Sequence, residues 1–89
     1  MHLRFDGGER FFQGHFPGFP ILPGMMQLDI AIRNSPVQTP VKAIKKMKFM
    51  NIIAPGEDVE LDLEQTGEKE VGYVFRKGET VCSSGTLAY

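Results

Sequence analysis

The sequence predicts an α+β fold in which an antiparallel sheet wraps around one helix. The first observation is an apolar stretch over residues 24–34, which follows Pro23 and ends before Pro36. The second is a series of β-prone segments after residue 41, separated by turn signals, with no strand–helix alternation that would require a parallel sheet. Apolar residues surround most of the circumference of the helix, as expected of a buried one.

The segment before the helix is predicted to be a β-hairpin followed by a stiff, extended arm. Residues 2–6 and 9–13 are β-prone and flank Asp6-Gly7-Gly8, where glycine supplies the positive φ that hairpin turns require. Prolines then recur at every third position from residue 17 to residue 23, which disfavours helix and holds the backbone extended. We expect this stiff arm to hold His15 at a single position in the fold.

Four strands are predicted after the helix, and the last three form an antiparallel meander. The first covers residues 41–53 and departs from strict alternation at Ile44-Lys45-Lys46, as a bulge would. Residues 58–64 alternate apolar and acidic side chains without interruption, which indicates one buried and one solvated face. The next strand carries Val71, Tyr73 and Phe75 on one face, and the last strand spans residues 80–89. Turns are predicted at 54–57, 66–69 and 77–79.

Length and composition bound the class of protein. The length of 89 residues predicts a single domain over residues 1–89, whose small core would be stabilised by a second subunit. The net charge of −1 argues against nucleic acid as a partner. One cysteine, Cys82, excludes an internal disulfide, and with two histidines it argues against a bound metal. No stretch approaches about 18 consecutive apolar residues, so a cytoplasmic location without a membrane span is predicted.

Three groups near the start of the helix could act together on a carbonyl compound. The N–H groups of Gly24 and Met25 form a positive site for an oxygen that gains negative charge. The imidazole of His15 could remove a proton next to that carbonyl, and the carboxyl of Asp29, in the second turn of the helix, could protonate a leaving group. The combination suits β-elimination of water from a 3-hydroxyacyl thioester.

Two stretches and one acidic residue resemble the signature of the hotdog-fold 3-hydroxyacyl-acyl-carrier-protein dehydratases. They are Gly14-His15-Phe16-Pro17-Gly18, Pro20-Ile21-Leu22-Pro23-Gly24, and Asp29 fourteen residues after His15. Weaker similarity to later landmarks of the family, at Lys48-Phe49, residues 53–58 and Ser83-Ser84-Gly85, extends the resemblance over nearly the whole chain. Asp29, where the common fatty-acid enzymes have Glu, resembles both the dehydratase/isomerase branch and the dehydratases of aryl-polyene pathways. Pro20-Ile21-Leu22-Pro23-Gly24 with Gln27-Leu28-Asp29 is most similar to the aryl-polyene type.

The resemblance implies a hotdog fold, a homodimer with shared active sites, and a role for each candidate residue. His15 would be the base, the partner subunit's Asp29 the acid, and the Gly24 N–H the group that polarises the thioester carbonyl. The implied enzyme dehydrates 3-hydroxyacyl groups on acyl carrier protein to trans-2-enoyl thioesters and uses no metal or other cofactor. The residues expected to line the acyl tunnel are Phe16, Phe19, Met25, Met26 and Leu28.

Other functions are compatible with the same residues. A hotdog thioesterase would release a free acid, and a non-catalytic hotdog subunit would bind acyl chains or complete a heterodimer, a hypothesis motivated by the short helix. Lysines at positions 42, 45, 46 and 48, with Arg33, could contact an acidic carrier protein, but a solvated strand edge that discourages aggregation is the favoured interpretation. Cys82 is expected to pack in the interior, and His2 to be exposed.

Overall fold

A computed structural model describes residues 1–5 and 22–89, which form one helix and one five-stranded antiparallel sheet. The predicted α+β class is confirmed. The turn and second arm of the predicted hairpin and the proline arm up to residue 21, with His15, Phe16 and Phe19, lie outside the described residues. In chain order the elements are β1 (His2–Arg4), α1 (Gly24–Asn34), β2 (Ala43–Phe49), β3 (Asp58–Gly67), β4 (Glu70–Lys77) and β5 (Thr80–Ala88), and the strand order across the sheet is β1-β3-β4-β5-β2.

The meander of β3, β4 and β5 provides most of the core. Its strands bury alternate residues, as the sequence pattern predicted, and the register aligns the buried positions across the sheet. Leu61 lies opposite Phe75, and Val71 lies opposite Leu87, so these side chains share the inner face. Complete burial of each such side chain contributes about 1.5–3 kcal/mol. Strand β3 continues to Gly67, past its predicted end at residue 64, because its ladder with β4 extends that far.

Helix α1 has the predicted bounds but not the predicted all-round burial. Ala31 and Gln27 are buried, whereas Ile30 and Ile32 are only half-buried against the core. Met25 is 74% exposed. The expectation of a helix buried all round is wrong within this chain, because a single layer of five strands covers only one side of it.

Strand β2 forms one edge of the sheet, and all seven of its residues are exposed. The predicted bulge is confirmed: Lys45 pairs with Thr86 and Lys48 with Ser84, so two residues of β2 oppose Gly85 alone. Lys46 in the bulge has a φ of 55°. The bulge switches the alternation of β2, which brings the odd-numbered Phe49 to the inner face. The strand ends at Phe49, before the predicted end at residue 53.

The turn between β2 and β3 lies at the predicted residues 54–57, and Glu57 closes it. Gly56 has a φ of 83°, which favours glycine. The carboxylate of Glu57 accepts hydrogen bonds from the Ala54 N–H at 2.7 Å and from the Lys77 ammonium at 2.9 Å. Burial raises the pKa of Glu57, but the Ala54 N–H and Lys77 outweigh it, so the pKa lies below its ordinary value of 4.5.

The remaining predictions about single residues concern Cys82 and His2. Cys82 is fully buried in the core, as predicted, and burial raises the pKa of its thiol. The His2 side chain is exposed, also as predicted, and its Nε2 lies 3.2 Å from a carboxylate oxygen of Asp58 on the neighbouring strand.

Candidate active site

An apolar cavity of about 550 Å³ lies between the first turns of α1 and the end of β2. Its wall reaches the molecular surface, since Met25 is 74% and Phe49 53% exposed. The wall is formed by Leu22, Gly24, Met25, Gln27, Leu28, Met47, Phe49, Met50, Asn51 and Ile52. This region therefore combines the helix N-terminus with apolar side chains that residues 1–5 and 22–89 leave partly uncovered.

Gly24 touches the ring of Phe49 so closely that no other residue would fit without movement. A Cβ at position 24 would lie 2.7 Å from Cζ of Phe49 and 2.8 Å from Cε1. The ring is brought there by the bulge in β2, which directs Phe49 to the same side of the sheet as its pairing partner Ser83. Glycine is thus required for the close approach of helix and strand at the cavity wall.

The start of α1 leaves two backbone donors available. Pro23 is the N-cap and makes no side-chain capping bond, while its carbonyl accepts hydrogen bonds from the N–H groups of Met26 and Gln27 at 3.0 and 3.1 Å. Within residues 1–5 and 22–89, the N–H groups of Gly24 and Met25 have no acceptor. Both residues line the cavity. A ligand oxygen in the cavity could accept from these donors.

Asp29 lies one helical turn after Met25, and therefore on the same side of α1. Its carboxylate accepts a hydrogen bond from Nε of Arg33 at 2.8 Å. The Asp29 side chain is 45% exposed and that of Arg33 is 76% exposed. An ion pair so open to solvent contributes about 0.3–0.5 kcal/mol, so it can be exchanged for another partner at small cost.

The structure describes five of the eight predicted site residues. Gly24, Met25 and Leu28 meet in the cavity wall. Met26 packs against the hydrophobic core instead. Asp29 is on the Met25 side of the helix, whereas His15, Phe16 and Phe19 lie outside the described residues.

Sequence reasoning missed a buried polar group next to the cavity. Gln27 is only 4% exposed; its Nε2 donates to the Leu22 carbonyl at 3.1 Å, and its Oε1 accepts from the Ser83 hydroxyl at 2.6 Å. The available signal was a single amide within an otherwise apolar turn. Its partner Ser83 is 56 residues away in the chain, so no local pattern indicates the pair.

The lysines of β2 lie on the sheet edge, as the favoured interpretation required. Lys45 pairs with Glu70 at 2.9 Å, across the neighbouring strand β5. In the described part of the chain no group of three or more His, Cys, Asp or Glu residues could hold a metal ion. The single helix there is also too short to cross a bilayer.

Solved structures similar to this chain identify the fold. A chain of the dehydratase heterocomplex ApeI:P from Xenorhabdus doucetiae superimposes with a TM-score of 0.86, over 98% of this chain and 81% of that one, at 23% identity. An uncharacterized protein from Erwinia carotovora subsp. atroseptica gives a TM-score of 0.81 at 30% identity, over 98% of this chain and 77% of the other. The fold and the cavity at the helix N-terminus define a protein of the hotdog class, as the sequence resemblance implied.

Sequence comparison refines this class to a family. The chain belongs to the ApeI-like family, described as ApeI dehydratase, whose sequence model matches residues 1–86. It is 32% identical over 93 residues to the 3-hydroxyacyl-[acyl-carrier-protein] dehydratase FabZ of Roseobacter denitrificans, covering 90% of this chain and 61% of that protein. It is 31% identical to the FabZ of Caldicellulosiruptor saccharolyticus, covering 89% of this chain and 68% of that protein. The chain thus spans a little under two thirds of the Roseobacter relative.

Proposed function

We propose that this protein removes water from 3-hydroxyacyl thioesters on acyl carrier protein and yields trans-2-enoyl thioesters. The observation that carries the proposal is the junction of unpaired helix N–H groups with an apolar cavity at Gly24. The N–H groups suit a thioester oxygen, and the cavity suits the acyl chain behind it. Membership of the ApeI-like family and similarity to proteins named as dehydratases of this substrate support the same reaction.

In the proposed mechanism each catalytic group handles one part of the elimination. His15 removes the proton next to the carbonyl, and the Gly24 N–H stabilises the negative charge that develops on the carbonyl oxygen. The electron pair forms the C=C bond as the C–O bond breaks, and Asp29 protonates the departing hydroxyl, so water leaves. Proton return from His15 to Asp29, directly or through solvent, restores the starting state.

The proposal includes a second subunit that covers the open side of the cavity and shares the site. Strand β2 is a free sheet edge within the described chain, and it carries the exposed Met47 and Phe49. Two copies of such an edge could pair in antiparallel fashion and bury these side chains. The Xenorhabdus relative belongs to a heterocomplex, so pairing with a different hotdog chain is the competing assembly. A cytoplasmic location is a further part of this proposal.

Incubation with 3-hydroxyacyl carrier protein, followed by mass spectrometry of the carrier, tests the reaction. We expect loss of one water from the wild type, and a fall of about 10²- to 10⁴-fold in rate for His15→Ala and for Asp29→Asn, since each removes an acid–base group. Release of free acid would identify a thioesterase. Absence of product from the wild type, with the same outcome for His15→Ala, would refute the enzymatic proposal.

A non-catalytic acyl-binding subunit is the second candidate, because the Asp29 carboxylate is engaged by Arg33. The variant Arg33→Gln, which frees the Asp29 carboxylate, separates the two functions. If the protein is an enzyme, the variant should dehydrate the acyl carrier as fast as the wild type or faster. If the protein is a binding subunit, the acyl carrier should stay unchanged with either. Sedimentation of the chain alone completes the test, since a stable homodimer supports the enzyme and a monomer that pairs only with another hotdog chain supports the subunit.

A further inference from the structure

We propose that Gln27 is a positioning residue that fixes the direction of the Gly24 N–H. The inference rests on the proposed function, which assigns that N–H to the thioester carbonyl. Gln27 lies at the cavity wall but is 4% exposed, and both ends of its amide are used within the protein. Its role would therefore be exerted through Leu22 and the helix start, without direct contact with the reacting atoms.

The segment leading to Gly24 is held at Leu22 by two hydrogen bonds. The Leu22 N–H donates to the Ile53 carbonyl at 2.7 Å, and the Leu22 carbonyl accepts from Nε2 of Gln27 at 3.1 Å. One bond thus ties Leu22 to the segment after β2, and the other ties it to the first turn of α1. A residue held at both its N–H and its carbonyl has little freedom to rotate.

This restraint is transmitted to Gly24 through Pro23. The Gly24 N–H belongs to the peptide plane of the Pro23 carbonyl, which accepts bonds from Met26 and Gln27 N–H groups. The proline ring fixes the φ of Pro23 at −61°, and the two hydrogen bonds to the Pro23 carbonyl hold its ψ at 146°, so a shift of Leu22 is passed on to that plane. Gln27 therefore acts on the plane twice, through its backbone N–H and through its side chain.

Oε1 of Gln27 anchors the arrangement to the sheet. It accepts from the Ser83 hydroxyl at 2.6 Å, and Ser83 is a fully buried residue that pairs with Phe49 across the β5–β2 ladder. The Phe49 ring contacts Gly24 from the same side. Burying two polar side chains is tolerated only when both are hydrogen-bonded, and an apolar pair of similar volume could stabilise the fold equally well. What the polar pair adds is a fixed geometry at the helix start.

The sharpest variant is Gln27→Glu, which preserves shape and makes one of the two bonds depend on pH. The ionised carboxylate can accept from Ser83 but cannot donate to the Leu22 carbonyl, and protonation restores a donor. We expect kcat to fall about 10- to 100-fold at pH 8 with KM within about threefold, because misplacement of a polariser affects the transition state most. The ratio of variant to wild-type kcat should rise as pH is lowered.

Two matched variants separate positioning from general stability. Gln27→Met removes both bonds and should lower kcat at every pH without the pH-dependent recovery. Ser35→Ala removes two hydrogen bonds at the opposite end of α1, one from the Tyr89 hydroxyl at 2.7 Å and one from the Val37 N–H at 3.1 Å. We expect it to lower stability and leave kcat unchanged. An equal loss of kcat in Ser35→Ala, or an unchanged kcat in folded Gln27→Met, would overturn the proposal.

A readout without substrate distinguishes failure of this inference from failure of the proposed function. The amide resonance of Gly24 in a ¹H–¹⁵N spectrum should shift in Gln27→Glu and titrate with the introduced carboxyl, whereas Ser35→Ala should leave it in place. If the wild type has no dehydratase activity but the Gly24 resonance behaves in this way, the positioning role stands and the reaction is wrong. If the resonance is indifferent to Gln27, the positioning role is refuted whatever the activity.

Discussion

The β3–β5 meander buries its inner apolar side chains, whereas the end of β2 leaves its own apolar side chains exposed. In the meander, Val71, Tyr73 and Phe75 alternate regularly and each is buried by its own chain. At the end of β2, Met47 and Phe49 are about half exposed; Met47 lies in the bulge that breaks the alternation, and Phe49 follows it. The first region completes its packing internally, whereas the second leaves apolar surface exposed beside the cavity. The core and the proposed site thus occupy different parts of one sheet.

The largest effect that tests this comparison is truncation of a phenylalanine in each region. Phe75 is fully buried and its ring meets that of Tyr73 edge-on at 6.1 Å, so Phe75→Ala should lower the free energy of unfolding by about 3–5 kcal/mol. In the single chain, Phe49→Ala should cost about 1 kcal/mol or less, because half of the Phe49 surface is already in water there. Urea unfolding at protein concentrations where sedimentation shows a monomer measures both. Should Phe75→Ala not fold, Phe75→Leu is the substitute, with a loss of about 1.5 kcal/mol. Equal losses at the two positions would contradict the division.

A smaller effect is expected where α1 contacts the end of β2. Gly24→Ala would bring a methyl group to 2.7 Å from the Phe49 ring, and the ring must move towards solvent. We expect a loss of about 1 kcal/mol in stability that disappears when Phe49 is also replaced by Ala, as a double-mutant cycle would measure. Additive losses would show that the contact is not the cause.

Substitutions in the bulge should change the free energy of unfolding by about 1 kcal/mol. Lys46 has a φ of 55°, where glycine is unstrained and β-branched residues are strongly disfavoured. Lys46→Gly is therefore expected to raise stability slightly, and Lys46→Val to lower it. Lys48→Gly is the control, because Lys48 pairs regularly with Ser84 and should lose about 0.5–1 kcal/mol. A loss in Lys46→Gly as large as that in Lys48→Gly would exclude a strained bulge.

The smallest effect concerns the turn that joins the two regions. The pKa of Glu57 is lower in the folded chain than its ordinary 4.5, so the folded state favours the ionised carboxylate. The associated stability is present above about pH 4.5 and is lost as pH falls through the lower, folded pKa. Between pH 6 and pH 3, the free energy of unfolding should therefore decline more steeply for the wild type than for Glu57→Gln, as unfolding curves would measure. Parallel declines would mean that Glu57 contributes nothing.

The features readable from the sequence are those determined by neighbours along the chain. Prolines at 23 and 36 delimit α1, so its bounds were predicted. Strict alternation defines β3, so its buried and solvated faces were predicted. The exposed side of α1, the Gly24–Phe49 contact and the Gln27–Ser83 bond depend on which strand pairs with β5. Such long-range pairing is decided by the sheet as a whole, and the local pattern of β2 was further obscured by its bulge.

The distribution of methionine gives the cavity a chemical vulnerability that the meander lacks. Met25, Met47 and Met50 all line the cavity, whereas the chain contains no methionine after position 50. Unbranched thioether chains adapt their shape to a ligand, but an oxidant such as peroxide converts them to polar sulfoxides. Mild oxidation should therefore abolish the proposed acyl binding before it unfolds the protein, and reduction by a methionine sulfoxide reductase should restore that binding.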